Sequence, residues 1–193
     1  MARLFIPVLA LVAIVGTGCR TEPRRVDSAA PLEQALERFQ GRPGLAPGSA
    51  EETAAIARFR NFLSEFTPES IEAKAPAVYA ADAHFNDTLV IRDGNPAIVA
   101  YLLATARSAE SVTAKVDDVT RAADGTYYFR WTMEVRMKRI GKGQVIRTPG
   151  ITRVRFDAEG QVLVHQDYWD SGAGLWEHVP VLGRGIRGIR ARL

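Results

Sequence analysis

From Ala50 to Phe66, apolar side chains recur at Ala54, Ile56, Phe59, Phe62, Leu63 and Phe66, the spacing that lines one face of a helix. Ser49, followed three residues later by Glu52, supplies a capping box at its start. Thr67-Pro68-Glu69-Ser70 opens a second helix running to about Ala81, with Pro68 in the tolerated first turn and Pro76 at a kink. Ala83 to Arg92 alternates as a strand, and Gly94-Asn95-Pro96 starts a third helix, Ala97 to Arg107, with Ile98, Tyr101, Leu102 and Thr105 on one face. Four strand-like stretches follow, at about 111–121, 126–138, 144–156 and 161–169. Asp124-Gly125, Gly141-Lys142-Gly143 and Glu159-Gly160 separate them with turn chemistry.

The clearest strand places Tyr127, Phe129, Trp131, Met133, Val135 and Met137 on one side. Tyr128, Arg130, Thr132, Glu134, Arg136 and Lys138 take the other. Helices first and a meander of strands afterwards predict an α+β domain, with helices packed on one face of a curved, mostly antiparallel sheet.

The two ends follow other patterns. Met1-Ala2-Arg3 leads into an apolar run, Leu4 to Val15, and then into small residues before Cys19. The run falls short of the roughly 20 apolar residues that span a bilayer, and it has the layout of a secretory signal peptide over residues 1–18. Gly18-Cys19 resembles a bacterial lipoprotein signal, which implies a lipid on Cys19 and a chain anchored at the cell envelope on the extracytoplasmic side. Residues 19–49, with Pro23, Pro31, Pro43 and Pro47, read as a flexible linker containing one short stretch of helical spacing at Leu32 to Phe39. Residues 184–193 form a basic tail. There Ile186, Ile189 and Leu193 are expected to pack on the body while the arginines stay in water. Gly183 to Gly188 spells the dinucleotide-binding glycine pattern, but only five residues follow it, too few for the helix and strand that pattern requires, and no cofactor is expected.

Charge narrows the function classes. The 193 residues carry a formal net charge of +3, yet residues 49–183 hold 15 Lys or Arg against 18 Asp or Glu. The folded body is therefore slightly acidic and lacks the clustered positive face that nucleic-acid binding needs. A single cysteine excludes a disulfide framework and a cysteine zinc site.

Within the body, Val78-Tyr79-Ala80-Ala81-Asp82-Ala83-His84-Phe85-Asn86-Asp87 and Ile98-Val99-Ala100-Tyr101-Leu102 are followed by Pro149-Gly150-Ile151 and Arg155-Phe156-Asp157. The run closes with His165-Gln166-Asp167-Tyr168-Trp169-Asp170. Taken together these resemble the SnoaL-like branch of the nuclear transport factor 2-like superfamily, over residues 50–183. The resemblance implies a cone of three helices wrapped by a bent sheet (nuclear transport factor 2-like, or cystatin-like) around a deep pocket. That fold hosts isomerases, cyclases, hydrolases and non-catalytic members alike, so it does not assign an activity.

Phe85, Asp87, Leu89 and Ile91 share one face of the strand at 83–92, which makes Asp87 the lone carboxylate on an apolar side. Burial disfavours the charged form of a carboxyl group and suits it to proton transfer. The resemblance likewise implies a general base at Asp87. The same position also fits a carboxylate tied to a helix end or a tyrosine, fixing the rim of the cone. His165, Asp167 and Trp169 share a face in the last strand. They form either an acid-base pair, as the resemblance implies, or a buried hydrogen-bonded lock. The oxyanion tyrosine of ketosteroid isomerases is absent from the first helix, where Phe59 and Phe62 stand instead. His84 is expected at the surface or rim and His178 in a structural role. No third ligand joins His165 and Asp167, so no metal is expected.

Tyr79, Phe85, Tyr101, Trp131 and Trp169 are the candidate pocket walls. The sequence thus points to an envelope lipoprotein whose pocket binds a small, largely apolar ligand without catalysis. A homodimer would form through outer sheet residues such as Tyr128, Thr132 and Arg153. The alternative is an isomerase, cyclase or hydratase using Asp87 with His165 and Asp167.

Overall fold

The computed structural model describes residues 26–193, so the signal segment and Cys19 lie outside the described residues. Helix α1 (Ala30–Arg38) precedes α2 (Ala50–Ser64) and α3 (Pro68–Val78). Strands β1 (Tyr79–Asn86) and β2 (Ile91–Asp93) lead to α4 (Asn95–Ser108). Then come β3 (Ala109–Arg121), β4 (Tyr127–Met137), β5 (Ile146–Phe156) and β6 (Val162–Trp169). A one-turn helix α5 (Ser171–Gly174) and α6 (Leu182–Arg190) close the chain. The six strands form one sheet in the order β2-β1-β6-β5-β4-β3, antiparallel throughout except where β1 runs parallel to β6. Register shifts in β1, β3 and β6 bend the sheet around the helices, as bulges do. The α+β class and the helices packed on a curved sheet are as the periodicity predicts.

The capping box at α2 forms with a variation. Ser49 Oγ accepts from the Glu52 N–H at 3.0 Å, while Glu52 Oε2 accepts from Gly48 N–H at 2.6 Å and Oε1 from the Tyr127 hydroxyl at 2.6 Å. One side chain thereby caps the helix and ties it to β4. Phe59 on the inner face of α2 meets Phe129 and Phe156 at ring-centroid distances of 4.8 and 6.0 Å, and this aromatic cluster anchors the core.

Several expectations need correction. The second helix ends at Val78 rather than Ala81, because the Asn95 side-chain amide takes the carbonyls of Pro76 at 2.9 Å and Tyr79 at 2.5 Å and lets the chain leave extended. The strand expected at 83–92 is two strands split by a turn at 87–90. Asn86 Oδ1 accepts from Thr88 N–H, and Asp87 Oδ1 accepts from the N–H groups of Leu89 and Val90. Such side-chain bonds to the backbone two or three residues on favour a turn over a strand. Leu89 and Ile91 are accordingly exposed, and while Leu89 still faces the same hollow as Phe85 and Asp87, Ile91 does not. His84 is buried, not at the rim, with Nδ1 3.0 Å from Asp93 Oδ1.

From residue 30 the expected linker is part of the fold. Pro31 stands at the start of α1, where its missing N–H costs nothing. Ala35, Phe39 and Leu45 are buried in the main core. Arg38 pairs with Asp93 at 3.0 Å, and Arg42 grips both oxygens of Asp82 at 3.0 and 2.6 Å. At the other end, Ile189 and Leu193 do not pack on the body but are exposed, and Arg190 is paired rather than free in water. On the outer face of the sheet, Tyr128 and Arg153 are cross-strand partners.

Phe39→Ala should cost about 3–5 kcal/mol in chemical denaturation, the usual penalty for emptying a buried aromatic site. A loss below about 1 kcal/mol would show that residues 30–49 are a tether after all.

Candidate functional site

A cavity of about 190 Å³ opens between α2, α4 and the concave face of the sheet. The inward stripe of β4 supplies Trp131, Met133, Val135 and Met137, α2 contributes Phe62 and Leu63, and α4 contributes Tyr101, Leu102 and Thr105. All eight residues singled out from the sequence, Tyr79, Phe85, Asp87, Tyr101, Trp131, His165, Asp167 and Trp169, line this one cavity. Gly150 makes room for a wall. A Cβ there would lie 2.2 Å from the Trp131 ring, so the indole crosses β5 only because the residue has no side chain.

Two polar systems reach the cavity. In the first, Trp131 Nε1 donates to Thr152 Oγ1 at 2.8 Å and Thr152 donates to Asp167 Oδ1 at 2.5 Å. Asp167 Oδ1 lies 3.0 Å from His165 Nε2, and His165 Nδ1 lies 3.0 Å from the Tyr79 hydroxyl. Burial, reinforced by the charges of Asp167 and Asp87, pushes the Tyr79 hydroxyl well above its usual range. The Asp167 carboxylate is an acceptor only, so Nε2 donates to it, and in the singly protonated ring Nδ1 accepts from the Tyr79 hydroxyl. Both nitrogens of His165 are thus engaged by protein. Asp167 Oδ1 receives two bonds, whereas Oδ2 takes none from the described residues.

In the second system, Tyr101 donates to Asp87 Oδ2 at 2.5 Å, Asp87 Oδ1 caps the 87–90 turn, and Trp169 Nε1 donates to the Asp87 carbonyl at 2.8 Å. Burial, and then the Asp87 bond, raises the Tyr101 hydroxyl as well, so it too remains a donor. Asp87 makes no hydrogen bond to His165 or Asp167 among the described residues. The three share a cavity without forming one chain.

Residues 56–165, more than half of the chain, match the SnoaL-like domain family. The chain belongs to this family. None of the curated proteins matches it. Among solved structures, a putative isomerase from Bacillus subtilis is similar at 17% identity, covering 65% of this chain and 95% of its own, with a TM-score of 0.55. An LEH-like epoxide hydrolase from M. tuberculosis is similar at 15% identity, covering 76% and 100%, with a TM-score of 0.53. So is a hypothetical protein of ketosteroid isomerase-like fold from Catenulispora acidiphila, crystallised with trimethylamine, at 18% identity, 63% and 88% coverage and a TM-score of 0.53. At these identities the likeness establishes the nuclear transport factor 2-like fold and no activity.

Within this SnoaL-like domain the matched segment ends at His165, so Asp167 and Trp169 lie just beyond it. Among its titratable groups the cavity presents two carboxylates and the imidazole, together with tyrosine hydroxyls that are already donating. No Lys or Arg lines it. Its free polar capacity at Asp167 Oδ2 is that of an acceptor, set in apolar and aromatic walls. Thr152 is the functional residue that the sequence reading missed. It stands directly opposite Asp167 and shares the inward face of β5 with Thr148, Gly150 and Val154, an alternation legible in the sequence.

Tyr79→Phe leaves a buried imidazole nitrogen without its donor and should destabilise the fold by about 1–3 kcal/mol in urea titration. A loss below about 0.5 kcal/mol would show that this bond does not hold His165.

Proposed function

We propose that this chain is a lipid-anchored protein of the cell envelope whose SnoaL-like pocket binds a small, largely apolar ligand carrying a protonated amine. The observation that carries the reading is the pocket's charge pattern: Asp87 and Asp167 line it, no Lys or Arg does, and its walls include Tyr79, Phe85, Tyr101 and Trp131. A cation in such a site gains from a carboxylate and from aromatic faces at once, whereas an anion would meet only repulsion. Size sets the scale of the ligand. An apolar cavity of about 150 Å³ accommodates benzene, so this somewhat larger one suits a benzylamine-sized molecule.

A second reading, an isomerase or hydratase-type enzyme with Asp87 as base and His165 and Asp167 orienting the substrate, draws support from the shared cavity. Against it, Asp87 already accepts from Tyr101 and two backbone N–H groups. The same bonds support the rim-fixing role for that residue. Asp167 Oδ2 is the better placed of the two carboxylates for a proton or an ammonium group.

Isothermal titration with benzylamine and with benzyl alcohol separates charge from shape. The amine should bind at least about tenfold tighter, and Asp167→Asn should abolish that preference while leaving the alcohol's affinity unchanged. Equal affinities, or none for either compound, would contradict the reading. For the anchor, Cys19→Ser should abolish incorporation of labelled palmitate in cells, and an unlabelled wild-type chain would overturn the lipid claim.

A further inference from the structure

Helix α6 is attached to the body by the side that the sequence pattern marks as polar. Gly183 is pressed against the Glu177 carbonyl, where a Cβ would stand 2.0 Å away, and Arg187 donates to that same carbonyl. Arg190 reaches Asp170 at 3.2 Å and Glu177 Oε1 at 3.2 Å. Residues 183, 187 and 190 follow helical spacing, so this is one face of α6, and it is satisfied.

Leu182, Ile186 and Ile189 follow helical spacing on a neighbouring face that Leu193 continues just past the helix end; Ile186 is half-buried and the other three are exposed. Leu182 is 47% exposed, Ile189 63% and Leu193 fully exposed, and Val181 just before the helix is 76% exposed. Residues 181–193 contain no acidic residue. Arg184 and Arg192 make no ion pair among the described residues, and the carboxylates beneath the helix are already taken by Arg190. Trp176, in the turn packed under α6, is also partly exposed.

We propose that this face of α6 lies on an anionic membrane surface. Exposed Leu182 and Ile189 on α6, with Val181 before it and Leu193 after it, offer an apolar edge to a planar interface, which receives it while the flanking arginines meet lipid phosphates. Among the described residues no helix is long and apolar enough to cross a membrane, so α6 lies on the surface rather than through it. The contact holds the domain against the bilayer at its C-terminal end, whatever attaches the N-terminus.

Hydrogen exchange on the full chain tests this at α6 itself, independently of any anchor. Vesicles of equimolar phosphatidylglycerol and phosphatidylcholine should slow exchange in residues 182–193 by about tenfold, with no effect from phosphatidylcholine alone. Ile189→Glu should remove that protection and leave exchange in β4 unchanged. Three outcomes would overturn the proposal. One is absence of protection by the anionic vesicles; another is equal protection by both vesicle types. The third is protection that appears without lipid and grows with protein concentration, which would assign the face to a second copy.

Discussion

The bond between buried His165 and half-buried Asp167 constrains most of what surrounds it. An imidazole and a carboxylate under an apolar sheet are tolerable only when their hydrogen-bonding groups find partners, since a half-satisfied buried network is worse than none. Each partner comes from a different element: Thr152 from β5, backed by Trp131 from β4, and Tyr79 from the junction of α3 and β1. Other choices follow from these. Gly150 exists so that the Trp131 indole can cross to Thr152. Asn95 frees Tyr79 from the end of α3 by taking the carbonyls there. Phe59 and Phe85 close over the imidazole at centroid distances of 5.6 and 4.6 Å. The pair therefore ties strands and helix together, while Asp167 Oδ2 takes no hydrogen bond from the described residues.

The fold was legible where periodicity and burial coincide. The alternation from Tyr127 to Met137 gave the inner and outer faces of β4, and Ser49 with Glu52 marked the start of α2. The cavity walls could be named because an inward strand face near a cone's mouth has few other places to point. Three features escaped for separate reasons. The turn at 87–90 is hidden in a sequence that alternates, and only the competition of Asn86 and Asp87 side chains for backbone N–H groups decides it. Helix α1 showed as helical spacing at Leu32 to Phe39, but its packing did not, because the prolines around it suggest a linker while Ala35, Phe39 and Leu45 join the core. In α6 the expectation that apolar residues turn inward fails at Ile189 and Leu193, while Arg187 and Arg190 take the partners on the body.

The polarity of the cavity separates shape from function. The fold accommodates many chemistries, so membership in the SnoaL-like family sets the architecture of the pocket and leaves its occupant to the side chains. Here those side chains offer acceptors and aromatic faces with no Lys or Arg among the residues that line the cavity. Asp87 accepts from its own turn and from Tyr101. Asp167 is rigidly held by one oxygen and open at the other, the preorganisation a recognition group needs.

A crystal structure of the chain soaked with benzylamine tests this account most directly. The ammonium nitrogen should lie about 3 Å from Asp167 Oδ2, with the ring between Trp131 and Phe85 and the bonds from Thr152 and His165 to Oδ1 intact. An amine bound elsewhere, or a cavity closed by collapse of the aromatic walls with Asp167 Oδ2 bonded to protein, would contradict it.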